Sequence, residues 1–585
     1  MRYLRMLSNS VAAASLATAY VLGLILHLNA GLSIQPEPLL RLASTVGLYY
    51  VVHLTVGFYI LLVVRQLFAR EVFSPAWISV DVLSSLCAAA SGAGAALMWR
   101  NVSTFGKVLD AATVSALGGS ALALTAACGL FVIVAWLRRA SPAYRRLWAL
   151  VLVMVAAASA MALLKLRGAG TRPTLEARPI DVPVDIPVSD RPSRVTIVAI
   201  DGGSLDFITR ETTEGRLPNF GRILDAGAVR HIATIHPTSA EAVWAAIATG
   251  KMPQKNGVRS AGIYRVSSGT GSIQLLPDYC FAYRLVRFGF LTEQPHSSAT
   301  FRTRPLWSIL GTSGYSVGVV AWPLTQPAPA VRGYVVSDAY HRVAMNRAAG
   351  DVTATLYPSE LQADAIEAAE SAIADGATTA TGASGDPAAV DPRQEAPART
   401  DRLYDRIARA LAQARPTHVT VTRYQSLDAI GHYFLRYAMP SEFGDVSDSE
   451  RQRLGAVLDH QYAVIDESIG RAMAALGPED LLLVISGYGM EPLGPGKRLV
   501  ERLIGDPEIS GTHEAAPDGF LLAYGSAVAS GRQQQRASVV DIVPTILYFL
   551  GLPIGRDMDG YARADLFQVG FTQDHPISFI PSYDR

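Results

Sequence analysis

Five apolar stretches fill the first third of this chain: Val11–Ala30, Thr45–Leu67, Ile78–Trp99, Val114–Leu137 and Leu147–Leu166. Each is close to the ~20 residues of helix that cross a hydrocarbon core. Lipid offers no partner for backbone N–H and C=O groups, so a segment of this kind must satisfy them internally, as a helix. The first stretch has no convincing cleavage site and four more follow it. It reads as a retained helix and not as a signal peptide. Arg2 and Arg5, then Arg65 and Arg70, then Arg138, Arg139, Arg145 and Arg146 fall on one side of an alternating topology, with Arg100 and Lys107 as a weak counter-signal. Cationic loops stay cytoplasmic. The N-terminus is therefore expected in the cytoplasm and everything after the fifth helix outside it. His27, His53 and Asp81 lie in or near these helices but on no repeating face. They read as structural residues and not as a transport pathway.

The chain has 585 residues, 50% of them hydrophobic and 17% charged. The apolar excess is concentrated at the start, which implies a membrane part and a soluble part. A net charge of +1 gives no reason to expect a nucleic-acid partner. Cys87 and Cys128 sit in the apolar segments and Cys280 stands alone, so the soluble part has no disulfide framework or cysteine-rich zinc site. The expected organisation is a membrane domain at 1–167, a Pro/Arg-rich linker at 168–192, a soluble domain at 193–562 and an extended tail at 563–585. An Ala/Gly/Thr/Pro/Asp-rich stretch, 375–400, reads as a surface insertion.

In the soluble part, Arg194–Ile200 is a β-branched run closing on Asp201-Gly202. That is the pattern of a buried parallel strand delivering a carboxylate at its C-terminal edge, where open α/β sheets bind ligands. Ser316–Ala321, Val419–Thr422, Leu481–Ile485 and Phe520–Tyr524 are further strands. Leu403–Ala414 and Leu454–Leu476 are helices between them. The alternation predicts a three-layer α/β/α domain behind an all-α five-helix membrane domain.

Chemistry-bearing residues cluster at these strand ends. In Ile235–Val258, Pro237 makes a turn. Thr238, Ser239 and Glu241 start a helix that stops at Gly250. A hydroxyl there faces unpaired N–H groups and the positive end of the helix dipole, which favours a phosphate beside it. Thr238 is either a helix cap or a nucleophile. Asp428 and His432 are four apart and share one face of a helical turn, as a metal-ligand pair or as an N-cap followed by an ordinary His. Ser486-Gly487-Tyr488-Gly489 follows another strand. His513, in Gly511-Thr-His, leads into the last.

These pieces, in this order, resemble the alkaline phosphatase superfamily, most closely its type I phosphodiesterase/nucleotide pyrophosphatase branch. The stretches that carry the likeness are Val-Ala-Ile-Asp201-Gly, Arg216-Leu-Pro-Asn-Phe, Pro237-Thr238 through Ala248-Thr-Gly-Lys-Met-Pro-Gln-Lys-Asn-Gly257, Val317-Gly-Val-Val-Ala-Trp-Pro, Leu427-Asp428-Ala-Ile-Gly-His432, Gly511-Thr-His513, and Val540-Asp541-Ile-Val-Pro-Thr545 through Gly560. The layout also resembles lipoteichoic acid synthases and phosphoethanolamine transferases. The resemblance implies a two-metal site of zinc, or of manganese. Asp428, His432 and His513 would hold one ion. Asp201, Thr238 and an Asp-His pair would hold the other. Thr238 would form a phospho-threonine that water or an alcohol resolves. Ser239, one residue on, is the alternative nucleophile.

The chain departs from that pattern where the family has Ser-Asp-His-Gly. Gly487 and Tyr488 occupy the Asp and His positions. Glycine has no ligand atom, and a phenol with a pKa near ~10 is a poor one. Glu491, Glu514 and Asp206 are the available substitutes. The expectation is a membrane-anchored phosphodiesterase or phosphotransferase with one or two ions, acting outside the cytoplasmic membrane on a phosphoester of an envelope lipid, glycan or nucleotide. The alternative is a pseudoenzyme that binds a phosphorylated ligand or a partner protein. A transporter with a soluble appendage is the weakest reading, since the helices lack paired polar sites.

Overall fold

The structure is a computed structural model. It describes all residues except 69–71, 141–143, 169–192, 267–270, 279–281, 346–353, 383–390, 533–534 and 585. The expected linker therefore lies outside the described residues, apart from Gly168. The chain forms two compact units, Met1–Thr174 with Gly262–Pro295, and Leu175–Ala261 with His296–Arg585.

Among the described residues, the first unit holds five helices long and apolar enough to cross a membrane. They are α1 (Arg2–Leu28), α2 (Leu48–Phe68), α3 (Val80–Phe105), α4 (Ala111–Ala140) and α5 (Arg145–Arg167). Several of their polar side chains bond to neighbouring helices or to their own. The Tyr20 hydroxyl meets Ser91 at 3.1 Å and Ser159 at 2.7 Å. The buried His27 Nε2 lies 3.1 Å from the Leu163 carbonyl and 2.9 Å from Ser120 Oγ. His53 Nδ1 bonds within its own helix to the Tyr49 carbonyl, 2.7 Å away, and Asp81 lies 3.8 Å from Arg138. Buried polar groups are expected to be paired in this way.

The segment Gly262–Pro295 lies inside 193–562 in sequence but packs with the helices. Its strands Gly262–Val266, Ser272–Ile273 and Leu291–Pro295 form a small antiparallel sheet. The Asn29 side chain splices into it, donating to the Leu275 carbonyl at 2.8 Å and accepting from Gln274 N at 2.8 Å. Arg100 Nε reaches Asp278 at 2.9 Å.

The second unit is built on one large mixed sheet. Its main strands are β1 (Val195–Ile200), β2 (Ala228–Ala233), β3 (Val317–Val320), β4 (Gly333–Val336), β5 (Val419–Tyr424), β6 (Leu481–Tyr488) and β7 (Asp518–Tyr524). The order across the sheet is β2, β7, β6, β1, β5, β3, β4, with short strands at both edges. The central run from β6 to β4 is parallel, and β7 is antiparallel to both its neighbours. The helices that matter for the site are α6 (Ala240–Thr249), α7 (Pro392–Ala414), α8 (Ser426–Ala438) and α9 (Val457–Ala474). Val198 and Ile200 of β1 pack with Ile430 of α8 and Ile465 of α9. On the other face, Val243 and Ile247 of α6 close over Gly487. Strands apolar on both faces need a helical layer on each. This is the alkaline-phosphatase-like architecture expected from the sequence.

Three local expectations change. β2 was not anticipated because Arg230 and His231 break its apolar pattern; Arg230 is buried and neutralised by Asp565 at 3.0 Å. The 375–400 stretch is not irregular throughout. The helix Gln362–Gly382 runs into it from one side and α7 from the other, with 383–390 outside the described residues. The last residues are not an extended tail. A helix covers Val569–Asp574, and Phe579–Ile580 pairs with Ile554–Gly555. The tail is pinned by the buried Lys251, whose Nζ lies 2.5 Å from both Asp557 and Asp584.

Candidate active site

Three sequence-distant segments bring Asp428, His432 and His513 together. β5 runs into α8, which carries Asp428 in its first turn and His432 one turn later. Asp428 is not the helix cap. Asp401 of α7 takes that role from outside, accepting from Gln425 N and Ser426 N at 3.0 Å each. The Asp428 carboxylate is thus released to face inward. The turn after β1 allows the approach. Gly202 has φ +67°, and a Cβ there would lie 3.0 Å from Asp428 Cα. His513 follows the short strand Gly511–Thr512.

One donor atom from each of the three residues lies within 4.8 Å of the others. His432 Nε2 is 3.8 Å and His513 Nε2 is 3.9 Å from the two Asp428 oxygens. Those spacings are too long for hydrogen bonds and suit donors facing a common ion. His432 Nδ1 donates to the Gly511 carbonyl at 2.8 Å, which leaves its Nε2 lone pair facing the gap. Asp428 Oδ1 and His513 Nδ1 are buried with no hydrogen-bond partner. Two imidazoles and one carboxylate with an orphaned oxygen fit a divalent cation.

The second expected ion position does not fit. Asp201, buried at the end of β1, is gripped by Arg423 of β5 through Nε at 3.1 Å and through Nη2. Burial pushes the Asp201 carboxyl upward and the guanidinium opposes it. Arg423, despite its own burial, is held charged by Asp201. Tyr488 is fully buried and its hydroxyl has no partner. Burial, then Asp201 and Asp428, push that phenol well above its ordinary value, so it stays protonated. A Cβ at Gly487 would lie 2.4 Å from Val243 Cγ1. None of the substitutes completes the set. Glu514 pairs with Lys497. Asp206 and Glu491 line a neighbouring cavity, and neither joins a group of three potential ligands among the described residues.

The closed space at Gly487 makes a prediction. Gly487→Ala should overpack the β6–α6 contact and destabilise the chain by roughly 1–3 kcal/mol, read as a drop in the thermal midpoint. It follows that restoring the family's Asp at this position requires Val243 to move.

Thr238 is buried, and Ser239, not Thr238, is the N-cap of α6. No side-chain capping bond forms at either residue, so the Thr238 hydroxyl is not consumed as a cap. Thr238 Oγ1 lies 3.3 Å from His236 Nδ1. Thr238 N donates to the Glu514 carbonyl at 3.3 Å, beside His513. The Ser239 hydroxyl donates to Glu241 at 3.2 Å. Burial raises the Glu241 carboxyl to about 7, with its own backbone, Ser239 and Arg423 opposing the rise.

Beside Asp428 and His432 lies a cavity of about 360 Å³, lined by Leu427, Gly431, Phe207, Tyr462 and Met490 among others. The residues that the sequence did not single out are Arg423, His236 and Asp401. The signal for Arg423 was present, as a lone cation inside a β-branched strand (Val419-Thr-Val-Thr-Arg-Tyr).

A parallel-centred sheet between helical layers carries these carboxylates and imidazoles. The family model described as type I phosphodiesterase / nucleotide pyrophosphatase matches residues 195–541, and the chain belongs to that family. Among solved structures, wild-type alkaline phosphatase PafA is similar at 13% identity and a TM-score of 0.42, over 65% of this chain and 99% of that one. Murine ectonucleotide pyrophosphatase / phosphodiesterase 5 is similar at 12% identity and 0.37, over 64% and 100%. No curated protein sequence matches the chain.

Proposed function

We propose that this chain is a membrane-anchored, metal-dependent phosphodiesterase or phosphotransferase whose nucleophile is Thr238. The observation that carries the reading is the meeting of Asp428, His432 and His513, with orphaned donor atoms, together with the bond from Thr238 N to the carbonyl of Glu514, the residue after His513. Asp428, His432 and His513 would hold a divalent cation, zinc or manganese, which would supply Lewis-acid polarisation of a phosphoryl oxygen. The chain's own groups supply the rest. Thr238 Oγ1 forms the bond to phosphorus while His236 Nδ1, within reach, takes its proton. The ester oxygen departs with the bonding electron pair. Water or an acceptor alcohol then displaces the threonine oxygen and restores it.

The family favours a nucleotide or other phosphodiester. The five apolar helices favour a substrate found at a membrane, an envelope lipid or glycan phosphoester. The Arg distribution favours a cytoplasmic N-terminus and an extracytoplasmic catalytic unit. A second reading, a pseudoenzyme that binds a phosphorylated ligand or a partner protein, draws on the closed position at Gly487 and the engagement of Asp201 by Arg423.

The test uses the full chain in detergent with an aryl phosphodiester and added zinc or manganese. Turnover is expected, and His236→Ala should reduce kcat on the order of 10²-fold, the usual scale for a general base. An absence of turnover with every divalent metal, alongside retained binding of a nucleoside monophosphate, supports the pseudoenzyme.

A further inference from the structure

We infer that the Arg423 guanidinium stands in for the second metal ion, so that this chain works with one bound ion and one built-in cation. For its catalytic meaning the inference rests on the function proposed above. Three separate observations place the fixed charge. First, Asp201, the carboxylate that the resemblance assigns to the second ion, has both oxygens engaged by Arg423 through Nε and Nη2. Bidentate pairing of this kind combines charge with fixed geometry. Second, Arg423 is held from other sides as well. Its Nη1 donates to the Ala321 carbonyl at 3.2 Å, from a residue with φ +61°, and the guanidinium lies 6.0 Å from the Trp244 ring centroid. Third, the remaining ligand positions are closed. Gly487 has no ligand atom and no room for one beneath Val243, and Tyr488 carries a phenol where the family has an imidazole.

These facts belong together. A divalent ion entering beside Asp201 would have to dislodge a like charge and strand a buried guanidinium without its partner. With Gly487 and Tyr488 in place it would gain little in return. The guanidinium has five N–H donors, and the three bonds named here leave two for another acceptor. Oxygens of a phosphoryl group at Thr238 are acceptors of the right kind. A preorganised cation at a developing negative charge does for the transition state what a metal ion does electrostatically. It does not lower the pKa of a coordinated hydroxyl as a metal does. That task is left to His236, whose Nδ1 lies 3.3 Å from Thr238 Oγ1.

The test reads metal content and not turnover. The full chain, purified in detergent, is equilibrated with excess zinc, freed of loose ion and analysed for zinc per protein by mass spectrometry. One ion per chain is expected. Asp201→Asn keeps one acceptor oxygen for Arg423 and should leave the ratio at one. Asp428→Asn should bring it to zero. If Asp201→Asn does not fold, the double variant Asp201→Asn with Arg423→Gln, neutral on both sides, carries the same comparison. Two ions in the unaltered chain, or a ratio that falls on changing Asp201, overturns the inference and leaves the triad standing. No ion in the unaltered chain overturns the triad itself, and with it the single-ion premise.

Discussion

Zinc-dependent stabilisation should disappear when Asp428 is replaced by Asn. In the unaltered chain, zinc at 100 times its Kd should stabilise the catalytic unit by about 2.7 kcal/mol, since an ion that binds only the folded state shifts the equilibrium by mass action. Asp428 lies between His432 and His513, facing each at just under 4 Å. Its change to Asn removes the anionic donor and half of the reason for two imidazoles to face one gap. The loss of affinity should exceed the ~10- to 100-fold typical of an outer hydrogen-bond partner. His513→Ala should behave in the same way. Asp206→Asn is the control. Asp206 lines the neighbouring cavity and is not part of the triad, so the zinc-induced shift should survive its loss. The measurement is a thermal melt with and without zinc. A shift that persists in Asp428→Asn and His513→Ala would place the ion elsewhere.

Thr238→Ala should abolish phosphodiester turnover, by on the order of 10³-fold or more for loss of a nucleophile. The fold should be retained, because the Thr238 hydroxyl does not cap α6 and its contact is with His236. Thr238→Ser should keep part of the rate. Ser239→Ala separates the two candidate hydroxyls. The Ser239 hydroxyl is spent on Glu241, so its removal should change kcat far less than removal of Thr238. A collapse of activity in Ser239→Ala with Thr238→Ala active would reverse the assignment.

The elements that repeat simply were the readable ones. β-Branched or aliphatic runs announced β1, β3, β5, β6 and β7, and long uncharged runs announced the five N-terminal helices. β2 stayed hidden because its buried Arg230 is neutralised by Asp565, over three hundred residues away, and no local pattern reports such a partner. The tail looked formless because Lys251 and Asp584, which fix it, meet only in the folded chain. The site shows the same division. Asp428 and His432 form a local pair and are visible as one. The choice between cap and ligand for Asp428 needed Asp401, a residue of another helix. The losses at Gly487 and Tyr488 were legible as missing ligands. What replaced them was not, because the Asp201–Arg423 pairing joins two strands that are neighbours in the sheet but distant in sequence.

The most direct test of covalent chemistry at Thr238 is to trap it. The full chain, mixed with zinc and an aryl phosphodiester and quenched in acid within one turnover, is digested and examined by mass spectrometry. A phosphoryl ester on the peptide that contains Thr238, absent from Thr238→Ala, is the expected result. Turnover that continues in Thr238→Ala with no modified peptide in either protein would contradict the account.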